Sequence, residues 1–148
     1  PVHKMTGYQA GLLYGWRNKL EILNKIRSAN SGYYITNLGL KDRMPIYRDG
    51  IHFIRFPIYM NRKDKEELCK AGSGLGISNM YPVPIHKIRE IEDDFRNMDY
   101  ISAETVADTL VTLPTHVYLN DEDKRGIRDL VNRFDRPAYP GSLAALSK

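Results

Sequence analysis

The run IHFIRFPIYM, residues Ile51 to Met60, decides the fold class. It is dense in β-branched and aromatic residues, which fit a pleated, half-buried surface, so it reads as a strand. Pro57 has no amide hydrogen to give a ladder, and this points to an edge position or to the end of regular pairing there. Upstream lies a loop rich in turn formers: Asn37, Gly39, Asp42, Pro45, Asp49 and Gly50. Downstream, Asn61 is positioned to cap a helix from about Arg62 to Lys70. Its buried side carries Leu68 and Cys69, and Gly72, Gly74 and Gly76 end it.

Further upstream, Thr6-Gly7-Tyr8-Gln9 fits a capping box, in which the Thr6 hydroxyl satisfies an orphan amide and Gln9 reaches back to the N–H of the cap. Leu13, Trp16, Leu20, Leu23 and Ile26 then recur at spacings of three and four, placing them on one face of a long helix. That helix reaches Ser28 and extends, bent, through Tyr34. Gly7, Gly11 and Gly15 repeat every four residues within it, each unfavourable by roughly 1 kcal/mol relative to alanine. A stripe of this kind lets another backbone approach closely, and nothing obvious inside the chain asks for it.

Beyond Gly76 a short second strand leads into YPVPIH, residues Tyr81 to His86. Pro82 and Pro84 fix their own φ and bias Tyr81 and Val83 toward extended geometry, so His86 stands at the end of a stiff strut. Lys87 to Asp99 is charged and weakly helical. Ser102 can cap a helix lined by Ala103, Val106 and Leu110, and Val111 to Leu113 form a short strand. Asn120, followed by Asp121, Glu122 and Asp123, marks a helix start where the acids complement the dipole, and Ile127, Leu130, Val131 and Phe134 form its apolar face. The order of elements gives too few strands for a doubly wound sheet. It predicts an α+β fold: a small three- to four-stranded, mostly antiparallel sheet covered by helices and preceded by a long N-terminal helix. The organisation expected is one domain over residues 1–134, with a linking helix at 6–34 and the α+β layer at 50–134, then an extended tail at 135–148 rich in proline and glycine.

With 148 residues, 42% of them hydrophobic and 27% charged, the chain has the composition of one soluble domain. The 22 Lys and Arg are interleaved with 18 Asp and Glu, so the net charge of +4 is not gathered into a phosphate-tracking surface, and nucleic acid is not the expected partner. Cys69 is the sole cysteine, which rules out an intrachain disulfide and fits a reducing compartment; the cytoplasm is expected. No apolar run approaches the roughly 20 residues of a membrane span, and no apolar segment follows the basic residues of the start PVHKMTGYQ, so neither a membrane anchor nor a signal peptide is expected.

The histidines, His3, His52, His86 and His116, show no metal-ligand spacing. No GxSxG elbow occurs, and Gly72 to Gly76 do not make a phosphate-binding glycine pattern. What stands out is that two histidines each follow a proline closely: YPVPIH, and LPTH at Leu113 to His116.

These two motifs, with the N-terminal helix, carry a resemblance. Lys4, Met5, Thr6, Gln9, Ala10, Leu13 and Leu20 match R-M-[ST]-E-x-Q-A-A-x-G-x-x-Q-L. Tyr81, Pro82, Pro84 and His86 match Y-P-x-P-x-H, and Leu113, Pro114, His116, Leu119 and Asp123 match L-P-x-H-x-x-L-x-x-x-D. In this order the three pieces resemble the C-terminal part of the DegT and StrS type of sugar aminotransferase, pyridoxal-phosphate (PLP) enzymes of fold type I. The resemblance implies that the first helix joins a large cofactor domain to this small one, which would also account for the glycine stripe. It implies substrate-side roles for Tyr81 and His86, with His116 supporting them, toward a nucleotide-sugar substrate. The Schiff-base lysine and the rest of the PLP site would lie in a large domain, on the same or a separate chain, and the parent enzyme would be a homodimer. No catalytic, metal or cofactor-binding residue is expected here, PLP is not expected to bind this chain alone, and the chain alone is expected to be inactive. Where the family carries an asparagine, an aromatic and a basic residue before its methionine, this chain reads Val2, His3 and Lys4. A different reading keeps the same fold for noncatalytic binding of a partner protein or a sugar nucleotide.

Overall fold

The computed structural model describes residues 4–39, 43–44, 51–81, 83–95 and 99–134. The expectations for Val2 and His3, for most of the loop before Ile51, for Pro82 and for the tail at 135–148 lie outside the described residues.

The capping box forms as the sequence predicts: Gln9 N–H donates to Thr6 Oγ1 at 3.2 Å, and Thr6 N–H donates to Gln9 Oε1 at 2.9 Å. It opens a short helix, α1 (Gly7–Leu12), and the chain then departs from the single long helix expected. Leu13 to Gly15 form a turn, and a second helix, α2, runs over Trp16–Asn37. The division is local chemistry. Tyr14 and Trp16 donate three residues back, to Gly11 and Leu13, and Gly15 takes φ +70°, a left-handed value open to glycine at no steric cost. At the other end α2 passes the predicted limit and stops where Gly39 takes φ +57°.

After α2 come a strand β1 (Arg55–Tyr59), a helix α3 (Arg62–Ala71), a helix α4 (Ile101–Thr109), a strand β2 (Leu110–Pro114) and a helix α5 (Asp121–Arg133). The α+β class is as predicted. The sheet pairs β1 antiparallel to β2, with Phe56 opposite Leu113, Pro57 opposite Thr112 and Ile58 opposite Val111. The strand expected after Gly76 is reduced to one antiparallel bridge, Ser78 to Thr112, on the far side of β2. This bridge explains how Pro57 is tolerated. Thr112 spends its backbone N–H on Ser78 at 3.0 Å and its carbonyl accepts from Ser78 at 3.1 Å, so it asks nothing of the residue opposite it on β1. Tyr59, two residues on and pointing the same way as Pro57, sends its N–H away from β2 to the carbonyl of Arg43 at 2.7 Å. Pro57 therefore sits where a missing amide removes no ladder bond.

One face of the sheet makes the core. Phe56, Ile58, Val111 and Leu113 are fully buried together with Tyr34 of α2, Leu68 of α3 and Ile127 of α5, while Val131 and Ile77 are nearly so. Tyr34 and Phe56 meet with ring centroids 5.4 Å apart, and Phe53 stands edge-on to Phe56 at 5.6 Å. Asn61 and Asn120 cap α3 and α5 as predicted, the latter with a full capping box through Asp123. α4 differs: Tyr100 occupies its cap position without a side-chain bond, and Ser102 falls inside the first turn. Thr105 and Thr109 instead donate to carbonyls four residues back, at 2.9 and 2.7 Å.

Candidate functional site

The LPTH segment is held by its backbone. Tyr34 Oη donates to the carbonyl of Pro114 at 2.9 Å, and Asn30 Nδ2 donates to the carbonyls of Thr115 and His116 at 3.1 and 3.2 Å. Thr115 is fully buried, its hydroxyl 2.8 and 2.7 Å from the carbonyl oxygens of Phe53 and Ile54. Three successive carbonyls at the end of β2 are thus fixed to α2. The His116 imidazole stays exposed, tilted against Tyr118 with centroids 6.0 Å apart. Burial raises the Tyr34 phenol well above the ordinary tyrosine range, with the neighbouring Tyr33 adding to the shift.

The YPVPIH segment is built differently. Pro84 takes φ −69° and ψ 154°, an extended value, and one 3₁₀ turn, Ile85–Lys87, follows it. Tyr81 is 58% exposed, with no hydrogen bond or ring contact among the described residues. His86, by contrast, has a side chain only 12% exposed. Its ring stacks on Tyr100 with centroids 4.8 Å apart and planes 29° apart, and its Nε2 lies 3.1 Å from Oε1 of Glu104 on α4. The same carboxylate oxygen receives the ammonium of Lys87 at 2.7 Å. Hydrogen bonds from Lys87 and then His86 hold the Glu104 carboxyl below its ordinary range.

Among the described residues no hydrogen bond or ring contact joins His116 to Tyr81 or His86. Glu104, Tyr100 and Lys87 are the residues that sequence reasoning missed. Glu104 reads in sequence as one more acid in a first helical turn, and only folding brings it to an imidazole eighteen residues earlier.

Other chemistry is sparse. Ser28 Oγ lies 2.7 Å from His52 Nδ1, but no carboxylate among the described residues orients that imidazole, so the pair lacks the third member of a nucleophile triad. No cluster of metal-ligating side chains occurs among the described residues. No described helix is long and apolar enough to cross a membrane. Arg55 Nε donates to Thr112 Oγ1 at 2.8 Å and its Nη2 to the carbonyls of Gly76 and Thr112, clamping the Gly76 turn to the sheet.

The N-terminal arm carries a run of exposed apolar side chains. Of the predicted face, Leu13, Trp16 and Leu20 are 48%, 49% and 41% exposed while Leu23 and Ile26 are half-buried, and Met5, Leu12 and Ile22 are 57%, 64% and 59% exposed. A methyl group added at Gly7 or Gly11 would meet nothing within 4 Å. Burial begins only at the C-terminal half of α2, with Asn30, Ser31, Tyr34 and Leu38.

These features can be set beside known proteins. The model of the DegT/DnrJ/EryC1/StrS aminotransferase family matches residues 2–132, and the chain belongs to that family. Solved structures share the fold. A DegT DnrJ EryC1 StrS aminotransferase from Brucella abortus aligns with a TM-score of 0.66 at 20% identity, over 85% of this chain and 35% of that one. Helicobacter pylori PseC, an aminotransferase involved in the biosynthesis of pseudoaminic acid, aligns with 0.70 at 21%, over 85% and 36%. S. venezuelae DesV, solved in complex with a ketimine intermediate, aligns with 0.70 at 23%, over 88% and 37%. A further match, NtdA from Bacillus subtilis, was solved with bound cofactor PMP. The chain thus spans about a third of the length of these proteins. A search of curated protein sequences gave no match.

PLP chemistry needs a lysine that can form a Schiff base. Lys65 is the one buried lysine among the described residues, and its ammonium donates to the carbonyl of Ala107 on α4. Burial lowers its pKa, but its charge is committed to a backbone oxygen, so no step of amino transfer is assigned to it.

Proposed function

We propose that the chain is the small C-terminal domain of a PLP-dependent nucleotide-sugar aminotransferase. It contributes substrate-side residues, while a large domain on the same or a separate chain supplies the cofactor lysine. The parent reaction exchanges the amino group of an amino acid, commonly glutamate, for the keto oxygen of a sugar carried on a nucleotide. The observation that carries this reading is the N-terminal arm: two helical segments joined by the turn at Leu13–Gly15, with Gly7 and Gly11 open on α1 and with Leu13, Trp16 and Leu20 exposed, preceding a domain with a buried core of its own. Apolar area of this kind is stabilised by a covering surface, and in this family the large domain is that surface. Tyr81 and His86, on the segment after Gly76, face the substrate in this reading, and His116 supports them. The parent enzyme acts as a homodimer.

Two measurements test it. The 148-residue chain, given PLP, glutamate and a keto-sugar nucleotide, is expected to show no amino transfer; turnover by this chain alone would refute the assignment. Trp16 is the sole tryptophan and half-exposed, so its emission should move to the blue when the chain is joined to its large domain. Emission that stays that of a solvated indole in the assembled enzyme would place the arm elsewhere.

A further inference from the structure

We infer that Glu104 is a positioning residue that fixes which way His86 hydrogen-bonds: Nε2 is spent as a donor to Glu104, and Nδ1 is left as the nitrogen that meets a ligand. The inference rests on the substrate-side reading of His86 and deepens it by naming the kind of group the imidazole can receive.

The geometry is restrictive. An ionised carboxylate only accepts, so the 3.1 Å approach of Oε1 to Nε2 requires the proton on Nε2. In the neutral ring Nδ1 then carries a lone pair. Lys87, at 2.7 Å from the same oxygen, favours the ionised carboxylate over the protonated acid that could donate instead. Tyr100 lies against the ring face at 4.8 Å, and with the ring largely buried a flip would leave Glu104 facing carbon. His86 makes no other hydrogen bond among the described residues, so none of them occupies Nδ1. In the neutral ring Nδ1 is a fixed acceptor that matches a hydrogen-bond donor, such as a sugar hydroxyl or amino group, and only a ring carrying a second proton could donate from Nδ1 to a phosphate or carboxylate oxygen. The Pro84 backbone adds to this by fixing the direction from which the ring arrives.

The test is proton and nitrogen NMR of the imidazoles in the 148-residue chain, at mildly alkaline pH where an imidazole is neutral. For His86 an Nε2–H signal shifted downfield and protected from exchange is expected. It should vanish in Glu104→Met and persist in Lys87→Met. If Glu104→Met disturbs the backbone spectrum as a whole, Glu104→Gln replaces it, and there the signal should move upfield as a neutral acceptor takes over. A protected proton on Nδ1, no protected imidazole proton on His86, or a signal indifferent to Glu104 substitution would overturn the inference. A merely structural role for Glu104 would not select one nitrogen. The readout needs neither cofactor nor turnover, so a failed aminotransferase reading and a failed positioning role are told apart: the first shows in the activity of the assembled enzyme, the second in this spectrum.

Discussion

The hydroxyl of Tyr34, on a fully buried side chain in α2, donates to the carbonyl of Pro114 at the end of β2 across 2.9 Å. The bond crosses eighty positions of sequence, and it lets a helix reach the backbone of the LPTH segment.

Tyr34→Phe should therefore destabilise the domain by about 1–2 kcal/mol, since the Pro114 carbonyl is left buried without its donor. Its effect on pH dependence has a definite sign. The folded phenol is raised above the unfolded value of about 10, so its contribution is complete below that pH and is lost as pH rises toward the folded value. Denaturant titrations above pH 10 should show a shallower fall in stability for the variant than for the parent chain. Tyr59, also raised by burial, keeps a remainder of the slope in both.

Gly72→Ala should be destabilising by about 1–3 kcal/mol through overpacking. Its added methyl would lie 2.5 Å from Cδ1 and 2.9 Å from Cβ of Ile77, a side chain only 2% exposed. Shortening the neighbour in the double variant Gly72→Ala, Ile77→Ala should recover part of that loss, seen as non-additive midpoints in urea; strict additivity would mean that the contact is not the cause.

Glu104→Gln should flatten the acid limb of the stability curve. The carboxyl is held below its ordinary range by Lys87 and His86, so its contribution is present above the unfolded glutamate value and disappears as pH falls through the folded one. Amide exchange over residues 85–87 should quicken in the variant near neutrality, with α5 unaffected.

Asn120→Ala should lower stability by about 1 kcal/mol, because Asn120 Oδ1 accepts from Asp123 N–H at 2.8 Å and Asp123 Oδ2 accepts from Asn120 N–H at 3.1 Å. Thermal melts of the two proteins, run side by side, measure it.

Much of this architecture was legible because its determinants are local. Thr6, Asn61 and Asn120 announce helix starts through bonds spanning three residues, and the composition of Ile51–Met60 marks the strand β1. Local rules failed where a distant partner decides. The predicted continuous helix yields at Gly15, where the apolar face before and after the turn has no core of this chain to follow. The strand after Gly76 shrinks to Ser78, since the chain then turns toward α4 and not along β2. For the candidate site, spacing picked out His86 and His116, and the structure gives each a different setting. Glu104, Tyr100 and Lys87 carried no signal in the sequence, because an imidazole–carboxylate pair exists only once two segments meet.

Pro57 has a last consequence, for solubility. The outer margin of β1 offers a foreign strand no amide at Pro57, and at Tyr59 the amide is already engaged by Arg43. Two successive outward-pointing positions thus offer no free amide for templated growth of the sheet, one through an imino acid and the other through the bond to Arg43.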